Sequence, residues 1–306
     1  MQRRIWIKAS VLTGVSMLTP VSPIMPAGIV WAREGARDAT TTLRDDRPPA
    51  RGQPGKDVMW LPTPDELMFR LFDVAGITSA DLVFDLGAGD GRVAIAAARR
   101  HGARAVGIEY DAKLAHHAQR NVERAGLADR VRIIQGDIFK EDFSAASVLT
   151  LYLLDELNQQ LRPTILRMKP GTRVVSNSFA MGDWEPDRVL EVGQHTGYFW
   201  RVPAQVAGRW RVDWPQHGPS VVIDIKQRYQ RLAGQLLADG RVRPLFGLEI
   251  DGDRLSFRWI DESDALRAVR VTVRGNQFEG LIVPPYGMLD GPSPEYPVRG
   301  TRLSGS

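Results

Sequence analysis

The sequence predicts an α/β domain built on a mostly parallel sheet, followed by a smaller all-β domain of sandwich or barrel-like form. Three features carry that reading. From Leu61 to about Pro203, short apolar runs alternate with helical patterns, as βαβ units require. After about Ala204 the apolar residues recur with period two, and turn signals separate the runs. At the first strand of the first region, a glycine-rich turn leads straight into a helix.

Composition narrows the choices. The chain has 306 residues, 43% hydrophobic and 25% charged, ordinary proportions for a globular protein. Lys and Arg number 40 against 36 Asp and Glu, a net charge of +4 spread along the chain, which gives no ground for a nucleic-acid partner. Cysteine is absent, so disulfides, thiolate metal sites and cysteine nucleophiles are excluded. Five histidines are too few for a histidine-rich metal centre.

The first residues, Gln2-Arg3-Arg4-Ile5-Trp6-Ile7-Lys8, precede an uncharged stretch from Ala9 to Ala32. A basic start, an apolar middle and a small residue at the boundary describe an export signal over residues 1–32. The paired arginines resemble a twin-arginine signal, whose pathway carries folded proteins, so an exported, periplasmic location is expected. The alternative is a membrane anchor formed by the same residues. Pro20, Pro23 and Pro26 argue against it, because each removes a backbone donor from a spanning helix. Residues 33–57, rich in Arg, Asp, Thr, Pro and Gly, read as a flexible linker. That leaves 58–204 for the α/β domain and 205–304 for the β-rich one.

Within the α/β region, Thr63-Pro64-Asp65-Glu66 predicts a helix start, with Thr63 as cap, Pro64 in the first turn and Glu66 completing a capping box. That helix ends at Gly76. Strands are predicted over Leu82–Asp85, Ala105–Glu109, Val131–Ile134, Val148–Tyr152 and Arg173–Ser176, with Asp111 capping a helix that runs to Arg124. His116 and His117 read as a solvated face. In the β-rich region Leu255, Phe257 and Trp259, then Val269, Val271 and Val273, mark buried faces. Asp251-Gly252-Asp253 and Gly275-Asn276 mark turns. No cluster in this region carries chemistry.

The chemistry lies at "VFDLGAGDGRVAIAAA", Val83 to Ala98. Asp85 ends a strand, and Gly87, Gly89 and Gly91 make a turn that a ligand can approach without meeting a Cβ. The free N–H groups of the following helix suit an anionic group. Glu109, at the tip of the next strand, stands where such folds place an acceptor for ribose hydroxyls. A dinucleotide fingerprint needs glycine at the position of Arg92, and here the glycine comes one residue earlier.

The spacing Asp85-x-Gly87-x-Gly89-x-Gly91 instead resembles the motif of class I, seven-β-strand methyltransferases that use S-adenosylmethionine. "IIQGDIF" agrees: the resemblance gives Asp137 a bond to the adenine amine and sets Ile138 beside the ring. "PTPDELMFRLFDVAG", "GIEYDAKL", "LTLYLLDELNQQLRP" and "GTRVVSNSFAMGDWEP" extend the likeness to a branch that includes mitochondrial protein-lysine methyltransferases of the ATP synthase c-ring protein and the adenine nucleotide translocator, with bacterial relatives. The likeness spans about residues 60–203. It implies a Rossmann-like fold, S-adenosylmethionine as cofactor, and methyl transfer to a protein lysine or, as an alternative acceptor, a small molecule.

Methyl transfer needs alignment and exclusion of water more than an acid/base pair. The ends of the fourth and fifth strands supply the candidates beside the methyl group: Tyr152, Asp155, Glu156, Asn177 and Trp184. Tyr152 and Trp184 would wall an acceptor amine, and Asp155 is expected to cap the helix that begins beside it. The Asn/Asp-Pro-Pro-aromatic turn of adenine- and glutamine-directed enzymes is missing, since that place reads Leu151-Tyr152-Leu153-Leu154-Asp155. A reading of another class keeps the scaffold but not the catalysis: an exported binding protein whose β-rich region does the work.

Overall fold

The computed structural model describes residues 63–214, 219–261, 264–283 and 296–303. The export signal or anchor read on 1–32 and the linker read on 33–57 lie outside these residues. Among the described residues, no helix is long and apolar enough to cross a membrane.

The first sheet has seven strands: β1 (Leu82–Leu86), β2 (Arg104–Glu109), β3 (Val131–Gln135), β4 (Val148–Leu151), β5 (Arg173–Asn177), β6 (Arg188–Val192) and β7 (His195–Arg201). They lie in the order β3-β2-β1-β4-β5-β7-β6. β1 to β5 run parallel, and β7 enters antiparallel between β5 and β6. β1 and β4 are buried along their whole length, as a strand covered on both faces must be. Helices α1 (Asp65–Ala75), α2 (Arg92–His101), α3 (Ala112–Arg124) and α4 (Asp155–Ile165) supply that cover. In α1 the residues Leu67, Met68, Leu71, Phe72 and Ala75 fall on one face and are buried, and Gly76 ends the helix in the left-handed conformation at φ 60°.

The start of α1 differs from the expectation. Pro64, not Thr63, stands at the cap position, and no side chain caps the helix. The Pro64 carbonyl accepts the Met68 N–H at 2.9 Å, so the helix opens one residue later than expected and Thr63 lies outside it. His117 is a second correction. It is buried at 9% exposure while His116 is exposed, because position 117 falls on the inward face with Leu114, Ala118 and Val122.

The second sheet holds nine strands, all neighbours antiparallel, in the order β11-β10-β9-β8-β16-β15-β14-β13-β12. They are β8 (Gly208–Asp213), β9 (Val221–Arg228), β10 (Arg231–Ala238), β11 (Arg241–Pro244), β12 (Phe246–Asp251), β13 (Arg254–Ile260), β14 (Leu266–Arg274), β15 (Gln277–Val283) and β16 (Tyr296–Arg302). Its two edge strands, β11 and β12, are consecutive in the chain with only Leu245 between them. The sheet must therefore curl until its ends meet, which brings β12 beside β10 and β11 beside β13. The result is nearly a barrel. Leu255, Phe257 and Trp259 and then Val269, Val271 and Val273 face its core, as period two requires. Trp214 stacks on Trp259 at 5.0 Å, and Trp210 packs against Phe278.

At Gly280 this sheet leaves no room for a side chain. A Cβ on Gly280 would lie 2.1 Å from the Arg270 carbonyl oxygen of the neighbouring strand. Gly280→Ala is therefore expected to cost about 2–3 kcal/mol by forcing β14 and β15 apart. Scanning calorimetry should show the transition lowered by roughly 5–10 °C. An unchanged midpoint would contradict so close an approach of the two strands.

Candidate active site

Strand order reverses between β1 and β4, and in open α/β sheets the crevice at such a reversal, beyond the C-terminal strand ends, is where ligands bind. The glycine-rich turn sits at that point. Gly87, Gly89 and Gly91 all take positive φ, at 82°, 57° and 79°, and Gly91 caps α2 from the left-handed region. Any Cβ on Gly87 would stand 3.0 Å from the Leu153 side chain. The segment following β4 thus lies directly beside the turn.

Asp85, the last polar residue of β1, is buried beneath the turn at 5% exposure. Its Oδ1 accepts the Thr150 hydroxyl of β4 at 2.6 Å, while its Oδ2 is buried with no partner. Burial pushes this carboxyl up to about 7 against the opposing bond from Thr150, and the negative charges of Asp90 and Glu109 push the same way. Glu109, at the end of β2, holds the turn from the other side: its carboxylate accepts the Gly89 N–H at 2.8 Å and the Asp111 N–H at 3.0 Å. Burial raises its carboxyl too, against those backbone bonds. Within the turn, Asp90 pairs with Arg92, and Asn121 of α3 donates to the Asp90 carbonyl at 3.0 Å.

Asp137 and Ile138 follow β3 on the same rim. Asp137 Oδ1 accepts the Phe139 N–H, which folds the loop, and Ile138 is half-buried. Two large side chains stand open beside these residues, Tyr110 at 51% and Phe139 at 41% exposure. The donor set fits the cofactor that the glycine spacing implies. A buried carboxylate with a free oxygen suits a cation, Glu109 retains lone pairs for hydroxyl groups, and apolar surface lies beyond β2 and β3.

On the other side of the turn, Tyr152 leaves β4 and stacks on Phe179 at 6.1 Å. Asn177 ends β5 fully buried. Its Oδ1 accepts the Ser178 hydroxyl, and its Nδ2 is buried without a partner. Asp155 does not cap α4. It is the first helical residue, and its carboxylate accepts the Ala180 N–H at 2.8 Å, tying the helix to the loop after β5. Trp184 is not at the rim. It is fully buried, with its ring between Trp200 and Tyr229 and its indole N–H donated to Gln230 at 3.0 Å, so it joins the two sheets and cannot wall an acceptor.

Two residues outside the sequence-based candidates belong to this site. Thr150 is the hydroxyl on Asp85. Asn158, fully buried on α4, donates toward the Phe179 and Ala180 carbonyls at 3.2 and 3.3 Å. Asn158 lies three residues after Asp155, on the same helical face, and that spacing is the signal in the sequence that marks it.

The raised Asp85 carboxyl has a measurable consequence. In the fold it keeps its proton up to about pH 7, whereas the unfolded chain loses it near the ordinary 3.8. Between these values the folded state holds the extra proton. This stability is fully present below about pH 4 and is lost as pH rises through about 7. Asp85→Asn cannot titrate. Its stability relative to the natural chain is expected to rise from pH 4.5 to 7.5 by on the order of 2–4 kcal/mol, read from urea unfolding at each pH. A difference that stays flat would show an ordinary carboxyl at position 85.

Known proteins resemble this chain in sequence. A family model described as the ANTKMT methyltransferase domain matches residues 85–188. A protein-lysine N-methyltransferase of Saccharolobus islandicus is 38% identical over 151 residues, which are 47% of this chain and 94% of that protein. The adenine nucleotide translocase lysine N-methyltransferase of Mus musculus is 30% identical over 125 residues, 40% of this chain, and the match spans about half of that enzyme, 54%. Among solved structures, an RNA methyltransferase from Salinibacter ruber in complex with S-adenosyl-L-homocysteine is 47% identical, with 48% of this chain and 96% of that one covered at a TM-score of 0.47. With the archaeal relative covered almost from end to end, the chain belongs to the S-adenosylmethionine-dependent methyltransferases, in the family that contains that protein-lysine N-methyltransferase.

Proposed function

We propose that this enzyme methylates a lysine amine on a protein. The observation that carries the reading is the placement of two unlike surfaces side by side at the strand reversal: the acidic glycine turn of Asp85 and Glu109, and the stacked Tyr152–Phe179 pair on the adjoining strand ends. The names of the archaeal and mouse relatives support the choice of acceptor.

Asp85 with its free oxygen, Glu109, the three glycines, Asp137 and Ile138 would hold S-adenosylmethionine, which when bound supplies a methyl group already activated on a sulfonium. The chain's own residues then have few tasks. Burial lets Asp85 hold its proton toward neutral pH, and binding of a cation at its free oxygen favours the ionised form. Thr150 fixes the orientation of that carboxylate. Tyr152 and Phe179 offer an aromatic wall suited to an alkylammonium and to shedding its water. A lysine must lose its proton before its nitrogen lone pair can attack. Burial against that wall lowers the amine's pKa, and the proton leaves to solvent. Exposed Asp155 and Glu156 at the start of α4 present negative charge to an approaching lysine.

Two measurements test this. By calorimetry, the natural chain should bind S-adenosylmethionine and not NAD. Asp85→Ala and Glu109→Ala should each weaken that binding tenfold or more, which is about 1.4 kcal/mol, through loss of charge-assisted bonds. Unchanged affinity in both variants would count decisively against the site. With tritiated S-adenosylmethionine and cell extract, the incorporated label should be released by protease and recovered as methylated lysine. Label released by ribonuclease, or found among small molecules, would replace the lysine reading. Export through residues 1–32 is also proposed. Its check is the first residue of the mature chain recovered from fractionated cells, which should lie just after Ala32.

A further inference from the structure

The loop between β5 and β6, residues 178–187, begins at the active-site rim and ends against the second sheet. Its first half is held by the methyltransferase sheet and α4. Ser178 takes φ 64°, an uncommon conformation for a residue with a side chain, and its N–H donates to the Thr196 carbonyl at 2.7 Å. Phe179 and Ala180 are fixed by Asn158, Ser176 and Asp155, and Arg162 of α4 donates to the Met181 carbonyl at 2.7 Å. These bonds hold the backbone that carries Phe179, whose ring stacks on Tyr152.

The second half is held by the turn between β9 and β10, whose tip is Arg228-Tyr229-Gln230-Arg231. Asp183 gathers three partners, Arg162 from α4 and both Arg228 and the Tyr229 hydroxyl from the turn, the last at 3.0 Å. The Tyr229 ring stacks on the buried Trp184 at 6.1 Å, and the Arg162 guanidinium stands 5.6 Å from the centre of the same ring. Gln230 takes the Trp184 indole N–H and donates to the Glu185 carbonyl at 2.7 Å. Tyr229 itself sits at φ 54°, so the turn is bent to present these side chains. Arg162 is thus shared: it bonds the loop backbone, the loop carboxylate and the face of the tyrosine from the second sheet.

We propose that the β9–β10 turn is a positioning device for the acceptor wall. Tyr229, with Arg228 and Gln230, fixes loop 178–187, and through Phe179 it sets the place of Tyr152 beside the transferred methyl group. The second sheet therefore contributes to use of the acceptor and leaves the cofactor turn alone. The turn's side chains spend their bonds on Asp183, Trp184 and Glu185, while Asp85 and Glu109 spend theirs on Thr150 and the backbone of Gly89 and Asp111. The proposal rests on the methyltransferase reading of the rim, and it deepens it by giving the second sheet a role in acceptor turnover.

The test uses the full chain with Tyr229→Ala, and with Tyr229→Phe as the milder change that keeps the ring and loses only the bond to Asp183. Three quantities are read: affinity for S-adenosyl-L-homocysteine by calorimetry, amide exchange of residues 178–187 by mass spectrometry, and kcat and KM for tritiated methyl transfer to poly-L-lysine at saturating cofactor. For Tyr229→Ala, cofactor affinity should stay within twofold, exchange in the loop should quicken at least fivefold, and kcat/KM for poly-L-lysine should fall tenfold or more. Tyr229→Phe should recover most of that loss. The proposal is overturned if loop exchange is unchanged in Tyr229→Ala. It is equally overturned if cofactor affinity falls by the same factor as transfer, which marks a general loss of structure. If the natural chain moves no methyl to poly-L-lysine, it is the lysine reading that fails, and the exchange and cofactor measurements alone decide the positioning role.

Discussion

The site is organised by a carboxylate that the fold has buried without giving it a full set of partners. Asp85 spends one oxygen on Thr150 and leaves the other enclosed and unbonded at the point where strand order reverses. An uncompensated buried charge is costly, so the group answers by holding its proton toward neutral pH. A ligand carrying positive charge reverses that balance, because it gives the free oxygen a partner. The surroundings follow from this need. Three glycines remove side chains from the approach, and Glu109 pins the middle glycine by its N–H. Asp90 is occupied by Arg92 and adds its charge to the pressure on Asp85.

Methyl transfer would let the acceptor side that we propose work without an acid/base pair. An activated methyl group needs alignment and dryness, and these are properties of packing. Packing is what the residues after β4 and β5 provide. Asp155 and Asn158, a single turn apart on one helical face, hold the loop that carries Phe179. Buried Asn177 and left-handed Ser178 show that the backbone there is fixed by its neighbours and not by local preference.

Much of this is legible in the sequence, and the parts that are not share a cause. Period-two alternation locates Leu255, Phe257 and Trp259 on an inward face, and the glycine spacing locates the turn, because both signals are local. Asp155 needs a long-range fact: its partner Ala180 lies 25 residues away, and a carboxylate at a helix start looks like a cap until that partner is known. Trp184 needs one in the same way, since Gln230 and Tyr229 come from another sheet. His117 is different. Its spacing from Leu114 already places it inward, and there the polar residue type argues against a periodic signal that proves the stronger guide.

The junction between the sheets also shows which interactions can confer a fixed geometry. The ion pairs that decorate it, Arg231 with Glu185 and Arg201 with Asp251, are largely exposed, and such pairs are screened and tolerant of movement. Trp184 is neither. Its ring has no exposed surface, its indole N–H has one partner, and its own carbonyl accepts the Trp200 indole N–H at 2.9 Å. A side chain so constrained has one place to be, and shifting it would open a void or orphan a polar group. The aromatic junction therefore sets the position of the loop, and the surrounding charges only shield it. That is why a turn belonging to the second sheet can govern the geometry of a rim formed by the first.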